Sequence, residues 1–513
     1  MRKGLRVLAI VFVGVSSSFA QTPPTQGAPP PPATGAPAAP ARGRQGPPPL
    51  GPHGTRDPFP APIPAIAGAI KVNFVEFAVL PDVGPNAARP MLMSYEPGTR
   101  RMFVNDMHGA LYSVSNDGKT VTPYLDHQDP RWNIQVQFQN FERGFQSFAF
   151  HPDFNRRGAP GYGKIYTYTD TSNVTPTPDW TPFPGAKVSH HAVLLEWTAK
   201  NPAAATYDGD APRELMRWHR PFVNHNGGQL AFNPTARRGS ADYGMLYAGN
   251  ADGGSGGDPQ HLAQNLASSF GKILRIDPLG ADGKGPRDRS IISANGKYGI
   301  PKDNPFVNDN DPNTLGEIWA YGARNPQRFA WDSKTGVMYM ADIGQGISEE
   351  VTTVTRGANL GWRVWEGSFR FVNGAEVSME SPRSDPKVTY PVVEFAQLDP
   401  LLQNSSAVTM GYVYRHSRLK ALRNLLLFGD NPSGEMFYVN ADNLPKNGGQ
   451  DAIRRIVFND NGQTKTLLEL VKAKAEALGK KPPTRADLRY GEGPDGRIFI
   501  LNKWDGVIRE IVP

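Results

Sequence analysis

Six short segments of this chain share one pattern: glycine, any residue, an aliphatic residue, then tyrosine or phenylalanine. They are Gly109 to Tyr112, Gly163 to Tyr166, Gly244 to Tyr247, Gly336 to Tyr339, Gly434 to Phe437 and Gly496 to Phe499. Each reads as a turn feeding a short strand, with period-two alternation and aromatic enrichment. Spread over roughly 450 residues, the copies allow about 75 residues per unit, room for four strands and long loops. Radial repetition hides the edges of an all-β chain of this size. The predicted fold is therefore all-β, a six-bladed β-propeller of four-stranded antiparallel blades over residues 65–513. A large β-sandwich or a pair of β domains is the alternative, and no linker-like composition divides the body to favour it. The stretch Leu467 to Leu478 has helical spacing and several lysines, which predicts a surface helix inserted in a connection.

Two segments precede the body. Residues 1–20 carry Arg2, Lys3 and Arg6, an apolar run from Val7 to Val15, and Ser18-Phe19-Ala20, the three parts of a secretory signal peptide. The apolar run is too short to span a bilayer, so the expectation is a soluble periplasmic or secreted protein with no integral membrane segment after cleavage. Residues 21–64 are dominated by Pro, Ala and Gly and read as a disordered tether. The chain has no cysteine, which excludes thiolate metal sites, disulfides and a CxxCH-attached haem, so redox chemistry would need a bound cofactor. Of the formal charge of +7, three positive charges belong to the leader and two to the tether, leaving about +2 on the body. Nucleic acid is not expected as a partner.

Chemistry concentrates in a few loops. His225-Asn226-Gly227-Gly228-Gln229-Leu230 sets a histidine at a strand entrance, and Ala251-Asp252-Gly253-Gly254 follows at the end of the same apparent hairpin. An aspartate so placed can orient an imidazole as a general base. Phe141-Glu142-Arg143-Gly144, Gly322-Ala323-Arg324-Asn325-Pro326 and the run from Ala341 to Glu350 are three further loops. In a propeller, loops of one kind converge on one end of the central channel. Asn308-Asp309-Asn310-Asp311 looks like a calcium loop but lacks a downstream glutamate at EF-hand spacing, so a solvated turn is expected. His151, His190, His191, His219 and His261 read as structural.

An ordered set of motifs gives these loops a common meaning. It comprises Glu142-Arg143-Gly144 with Phe148 to Phe154, the His225 and Asp252 segments, Gly271 to Asp277, Ile300 to Phe306, Arg324-Asn325-Pro326, Gly344-Gln345, Asn359 to Trp362, and Gly411 to Arg415. With them the body resembles the soluble pyrroloquinoline quinone (PQQ)-dependent aldose and glucose dehydrogenases, a family that includes sorbosone dehydrogenase-like proteins. The resemblance implies that His225 is the general base and that Asp252 holds it. It implies that Arg324 and Asn325 contact the quinone, that Arg415 binds a PQQ carboxylate, and that Glu142 and Trp362 meet the substrate. It places the catalytic Ca2+ on the backbone carbonyls of Gly344 and Gln345; Asp342, Glu349 and Glu350 as side-chain ligands are the alternative reading of this acidic loop, which the resemblance disfavours.

Three stretches depart from the family pattern. Asn431-Pro432-Ser433-Gly434 stands where glucose-oxidising members carry a further basic residue, Phe395-Ala396-Gln397 lacks a histidine common at that place, and Gly144-Phe145-Gln146-Ser147 replaces the usual Gly-Leu-Leu-Gly. The function implied is oxidation of the C1 hydroxyl of an aldose, or of an aldehyde hydrate such as that of sorbosone, to a lactone or acid. Electrons would pass to a separate acceptor such as a cytochrome or quinone. The alternatives are a cofactor-free propeller that binds a carbohydrate or protein partner, and a calcium-dependent lactonase or esterase propeller.

Overall fold

A computed structural model describes residues 57–513 except 140–141, 283–288, 374–375 and 403–405. The leader, most of the tether and Phe141 lie outside the described residues. No helix among those described is long and apolar enough to cross a membrane.

Successive strands pair antiparallel in six groups of four. Unit one is Pro90–Tyr95, Met102–Asp106, Ala110–Val114 and Val121–Asp126. Unit two is Phe145–Phe150, Lys164–Thr171, His190–Thr198 and Arg213–Arg220. Unit three is Leu230–Phe232, Leu246–Asn250, Lys272–Ile276 and Ile318–Tyr321. Unit four is Pro326–Trp331, Met338–Asp342, Ser348–Val354 and Val393–Ala396. Unit five is Val408–Tyr414, Leu425–Asp430, Met436–Asn440 and Arg454–Asp460. Unit six is Arg489–Gly493, Arg497–Leu501 and Val507–Val512, and its fourth strand is Ile70–Val79 from the start of the described chain. Each unit holds one copy of the glycine-aromatic pattern, which opens the second strand in four units and the third in units one and five.

The units follow one another in a closed circle. The first strands of units one and two are neighbours, as are those of two and three, four and five, five and six, and six and one; unit three reaches unit four through Leu246–Asn250. The apolar residues explain the arrangement, because they form a separate cluster at each junction rather than one core. Phe103 and Tyr124 meet Phe148 and Trp197 between units one and two, and Tyr168 and Trp218 meet Leu246 and Leu274 between two and three. Equivalent clusters fill the other four junctions. Each sheet thus buries apolar side chains against its neighbours at both junctions.

The helix Leu467–Ala477 lies in the connection between units five and six, closed by a Thr466/Glu469 capping box. Its surface character holds for one face only, since Leu467, Leu468, Leu470 and Val471 are buried in the junction.

Residues 57–64, at the end of the expected tether, make specific contacts with later parts of the chain. Phe59 is buried edge-on against Phe369. The Ile63 N–H donates to Asp399 Oδ2 at 2.8 Å, and Gln450 Nε2 donates to the Ala61 carbonyl at 2.6 Å. Proline-rich composition concealed two anchoring apolar side chains.

Candidate active site

Every unit returns from its second to its third strand at the same end of the ring, and in four units an aspartate marks that point. Asp106, Asp170, Asp342 and Asp430 accept N–H bonds from residues just ahead of a first strand: Arg89, Gly144, Arg324 with Asn325, and Ala407. In unit three the aspartate comes two residues later, as Asp252, and is released from that task. Its Oδ1 lies 2.7 Å from His225 Nδ1 and accepts the Gly254 N–H at 3.0 Å, while Oδ2 accepts Trp362 Nε1–H at 2.9 Å.

The pair is buried, with His225 at 4 % and Asp252 at 2 % exposure. Burial raises the Asp252 pKa, but the attraction and hydrogen bond of His225, the charge of Arg324 and the Gly254 N–H outweigh it, and the carboxyl sits below its ordinary value. An ionised Asp252 accepts the proton on Nδ1, which leaves Nε2 as the lone-pair nitrogen, and Nε2 makes no hydrogen bond among the described residues. Glu142 Oε2 accepts the His225 backbone N–H at 2.7 Å, so Glu142 holds the histidine's main chain. Three residues on, Gly228 is required, because a Cβ there would lie 2.5 Å from the Tyr168 ring.

Arg324 and Asn325 stand beside this pair, tied by the Asp252 N–H to the Arg324 carbonyl at 2.9 Å. The Arg324 guanidinium lies over the Trp362 ring at 5.6 Å and donates to the Ile343 carbonyl and Gln345 Oε1. Its Nη2 makes no hydrogen bond among the described residues, and the buried Asn325 Oδ1 has no partner either. Burial pushes Asp342, the anchor of both backbones, up to about 6.

In the Gly344 loop, backbone N–H groups take up the acidic side chains. Glu349 accepts from Val408 N–H and Gly344 N–H, Glu350 from Gly367 N–H, and Glu366 Oε1 from the N–H groups of Gly346, Ile347 and Ser348. Burial drives Glu349 up to about 8. These carboxylates are therefore committed to shaping the loop, and among the described residues no three His, Asp or Glu side chains converge as a metal site. The Gly344 carbonyl accepts Gln397 Nε2–H at 3.1 Å, whereas the Gln345 carbonyl accepts no hydrogen bond among the described residues. Gln397, noted as a departure, thus braces the expected calcium loop.

Arg415 is not at this site. It follows Val408–Tyr414, whose first residue is beside Glu349, and so sits at the strand's other end. There it forms a paired ion bridge to Asp332 at 2.7 and 2.8 Å and contacts Asn424 and Asp442. Asp332 closes the strand Pro326–Trp331 that Arg324 precedes, so about 20 Å of extended chain separates the two arginines. The Gly411 to Arg415 motif identifies the strand but not which end faces the chemistry.

The basic residues sequence reasoning missed are Arg489 and Lys503, with Arg328 behind them, all buried. Burial and mutual repulsion lower the pKa of Arg328 and Lys503, and burial lowers that of Arg489 to about 10, while Asp487 and Glu142 act in the opposite sense on Arg489. Asn431, where a basic residue was expected, turns its carboxamide to Asp487 and Arg489. Their signal was weak: Arg328 and Arg489 are single basic residues within strands, and Lys503 stands alone in the turn after Arg497–Leu501. Asn308 to Asp311 is an exposed turn closed by its own aspartates, as expected.

The chain belongs to the glucose/sorbosone dehydrogenase family, whose model matches residues 87–457. It is 30 % identical over 358 residues to the HIPL1 protein of Arabidopsis thaliana, covering 66 % of this chain and 48 % of that protein. It is 21 % identical to quinoprotein glucose dehydrogenase B of Acinetobacter calcoaceticus, over 69 % of this chain and 67 % of that one. The chain spans about half the length of the HIPL1 protein. The fold is similar to that of the PQQ-bound form of an aldose sugar dehydrogenase from Streptomyces coelicolor. That match has a TM-score of 0.52 at 18 % identity, covering 88 % of this chain and 99 % of that one.

Proposed function

We propose that the chain is an exported, periplasmic or secreted PQQ- and calcium-dependent dehydrogenase that oxidises the C1 hydroxyl of an aldose or a related aldehyde hydrate. In this reading the six units are the blades of a six-bladed propeller, and the His225 end of the ring is the active site. The observation that carries it is the buried Asp252–His225 pair with Nε2 unengaged, beside the uncommitted Arg324 Nη2 and Asn325 carboxamide.

The residues present fit the cofactor's chemistry. A flat tricarboxylate needs buried cations and polar groups left open, and Arg324, Asn325 and Arg489 meet that need where Arg415 does not. Gly344 and Gln345 would offer carbonyl oxygens to calcium, an ion suited to partly backbone sites. Bound there, PQQ would supply the hydride acceptor and calcium a Lewis acid.

His225 Nε2 takes the proton of the substrate hydroxyl as hydride leaves the same carbon, so the C–OH becomes C=O with both hydrogens accounted for. The ionised Asp252 favours the imidazolium that results. Trp362 fixes Asp252 from the other side, and Glu142 fixes the histidine's backbone. Electrons then leave to a separate acceptor.

The hydrogen bond from Gln397 to the Gly344 carbonyl favours the second reading, a cofactor-free binding propeller. Dye reduction by the purified protein with a panel of aldoses and aldehydes separates them. Activity that needs added PQQ and Ca2+ and vanishes in His225→Ala supports the dehydrogenase; neither activity nor a melting shift with PQQ supports the binding propeller.

A further inference from the structure

Away from His225, a cavity of about 440 Å3 opens between units two and three, lined by Asp179, Trp180, Asn295, Tyr298, Thr314 and Glu317 among others. We infer that it is a second, non-catalytic carbohydrate site that takes one or two neutral sugar rings against Trp180. Its volume falls in the range of small-molecule sites.

Trp180 forms the aromatic wall of this cavity. It is half-buried and stacks at 5.4 Å and 23° on the fully buried Trp218, which in turn stacks on Tyr168. One indole face is thereby used and rigidly supported, and the residue borders the cavity. Its backbone is pinned on both sides, by Trp180 N–H to the Arg217 carbonyl and His219 N–H to the Trp180 carbonyl. Its indole N–H has no hydrogen bond among the described residues. A rigid aromatic plane suits the apolar C–H face of a pyranose ring, and the indole N–H suits a ring hydroxyl.

Glu317 supplies the complementary acceptor. It is buried, Oε1 accepts from Tyr298 OH at 2.7 Å, and its own backbone N–H is a further partner of the carboxyl. Each carboxyl oxygen can accept more than one hydrogen bond, so an acceptor fixed in the wall is matched to a hydroxyl donor. Asp179 is already oriented by Arg217 N–H and Asn295 Nδ2–H, so its place on the wall costs the ligand no ordering. Lys297 lies 4.0 Å from both Asp179 and Glu214, so the rim already holds a cation and has no call for an amine ligand. An uncharged polyhydroxylated ring satisfies the plane, the donor and the acceptor together.

The test is isothermal titration of the protein without PQQ or calcium, using glucose, maltose and cellobiose. Saturable binding of at least one sugar is expected, weakened about tenfold or more by Trp180→Ala and by Glu317→Gln and unchanged in His225→Ala and Arg324→Ala. No binding of the three sugars overturns the inference, as does binding that survives both cavity substitutions. Should Trp180→Ala melt early through loss of its contact with Trp218, Glu317→Gln, which keeps the shape of the wall, decides alone. The site does not depend on the dehydrogenase reading, and its failure would leave the dye-reduction result untouched.

Discussion

His225 has its backbone in the left-handed region, at φ 56°, a conformation that costs a residue with a Cβ roughly 1–2 kcal/mol. Several groups hold it there. Glu142 accepts its N–H, His190 Nε2 lies 2.8 Å from Asn226 Oδ1, and Tyr168 and Arg220 donate to the Asn226 carbonyl. Replacing Asp252 by Asn removes the negative charge that favours the imidazolium, so initial rates with saturating sugar should fall about 100- to 10,000-fold while melting changes little. Fully active Asp252→Asn enzyme would contradict the assigned role. His151 bears out its structural reading: it is buried, its Nδ1 accepts the Asp153 N–H, and desolvation lowers its pKa to about 4. Its folded pKa lies below the unfolded value, so the unfolded chain binds the extra proton. Stability contributed by neutral His151 is then present at neutral pH and lost as pH falls from about 6.5 towards 4. Thermal melts at pH 7 and pH 4.5 should show a smaller acid loss in His151→Asn than in the unaltered protein. At this scale the pair was legible because both partners lie in glycine-rich loops of one hairpin, whereas Arg489 and Lys503 are lone basic residues whose burial depends on tertiary contacts.

Among the elements, the aspartates at second-strand ends do the positioning. Their repetition escaped notice in the sequence because the flanking residues differ: Asn105-Asp106, Thr169-Asp170, Ala341-Asp342 and Gly429-Asp430 share only the acid. The glycine-aromatic pattern was easier to see, but it opens different strands in different units, so it announces a turn without numbering it. Gln397 and the Gly344 loop depend on tertiary contacts that no local pattern encodes. A Cβ on Gly344 would come within 1.7 Å of the Ser348 carbonyl oxygen. Gly344→Ala should therefore force the loop apart and lower the melting temperature by a few degrees, at about 1 °C per kcal/mol for a chain of this size. It should also weaken any stabilisation by added Ca2+ in the same melts. A variant that melts and responds to Ca2+ like the parent would remove the loop from the account.

The whole molecule is held by closure. Ile70–Val79 pairs antiparallel with Val507–Val512, so the two ends of the described chain complete one sheet. A chain starting at Leu80 would leave unit six short of its outer strand, with Ile511 and Phe499 losing apolar cover. Its denaturant unfolding should become less cooperative and its midpoint lower; an unchanged transition would mean the ring is not closed by this strand. The all-β class and the number of pattern copies were readable because packing between sheets demands apolar strands throughout. The surroundings of Arg415 were not, because its expected role came from the resemblance of the Gly411 to Arg415 motif, whereas its ion pairs with Asp332 and Asp442 are tertiary contacts. The ring's two ends give the most direct test: titrate PQQ, in the presence of Ca2+, into the unaltered protein, Arg324→Ala and Arg415→Ala, and follow quenching of tryptophan fluorescence. The account expects saturable binding that Arg324→Ala weakens about tenfold or more and Arg415→Ala leaves nearly unchanged. Loss of binding in Arg415→Ala with Arg324→Ala unaffected, or no binding at all, would contradict it.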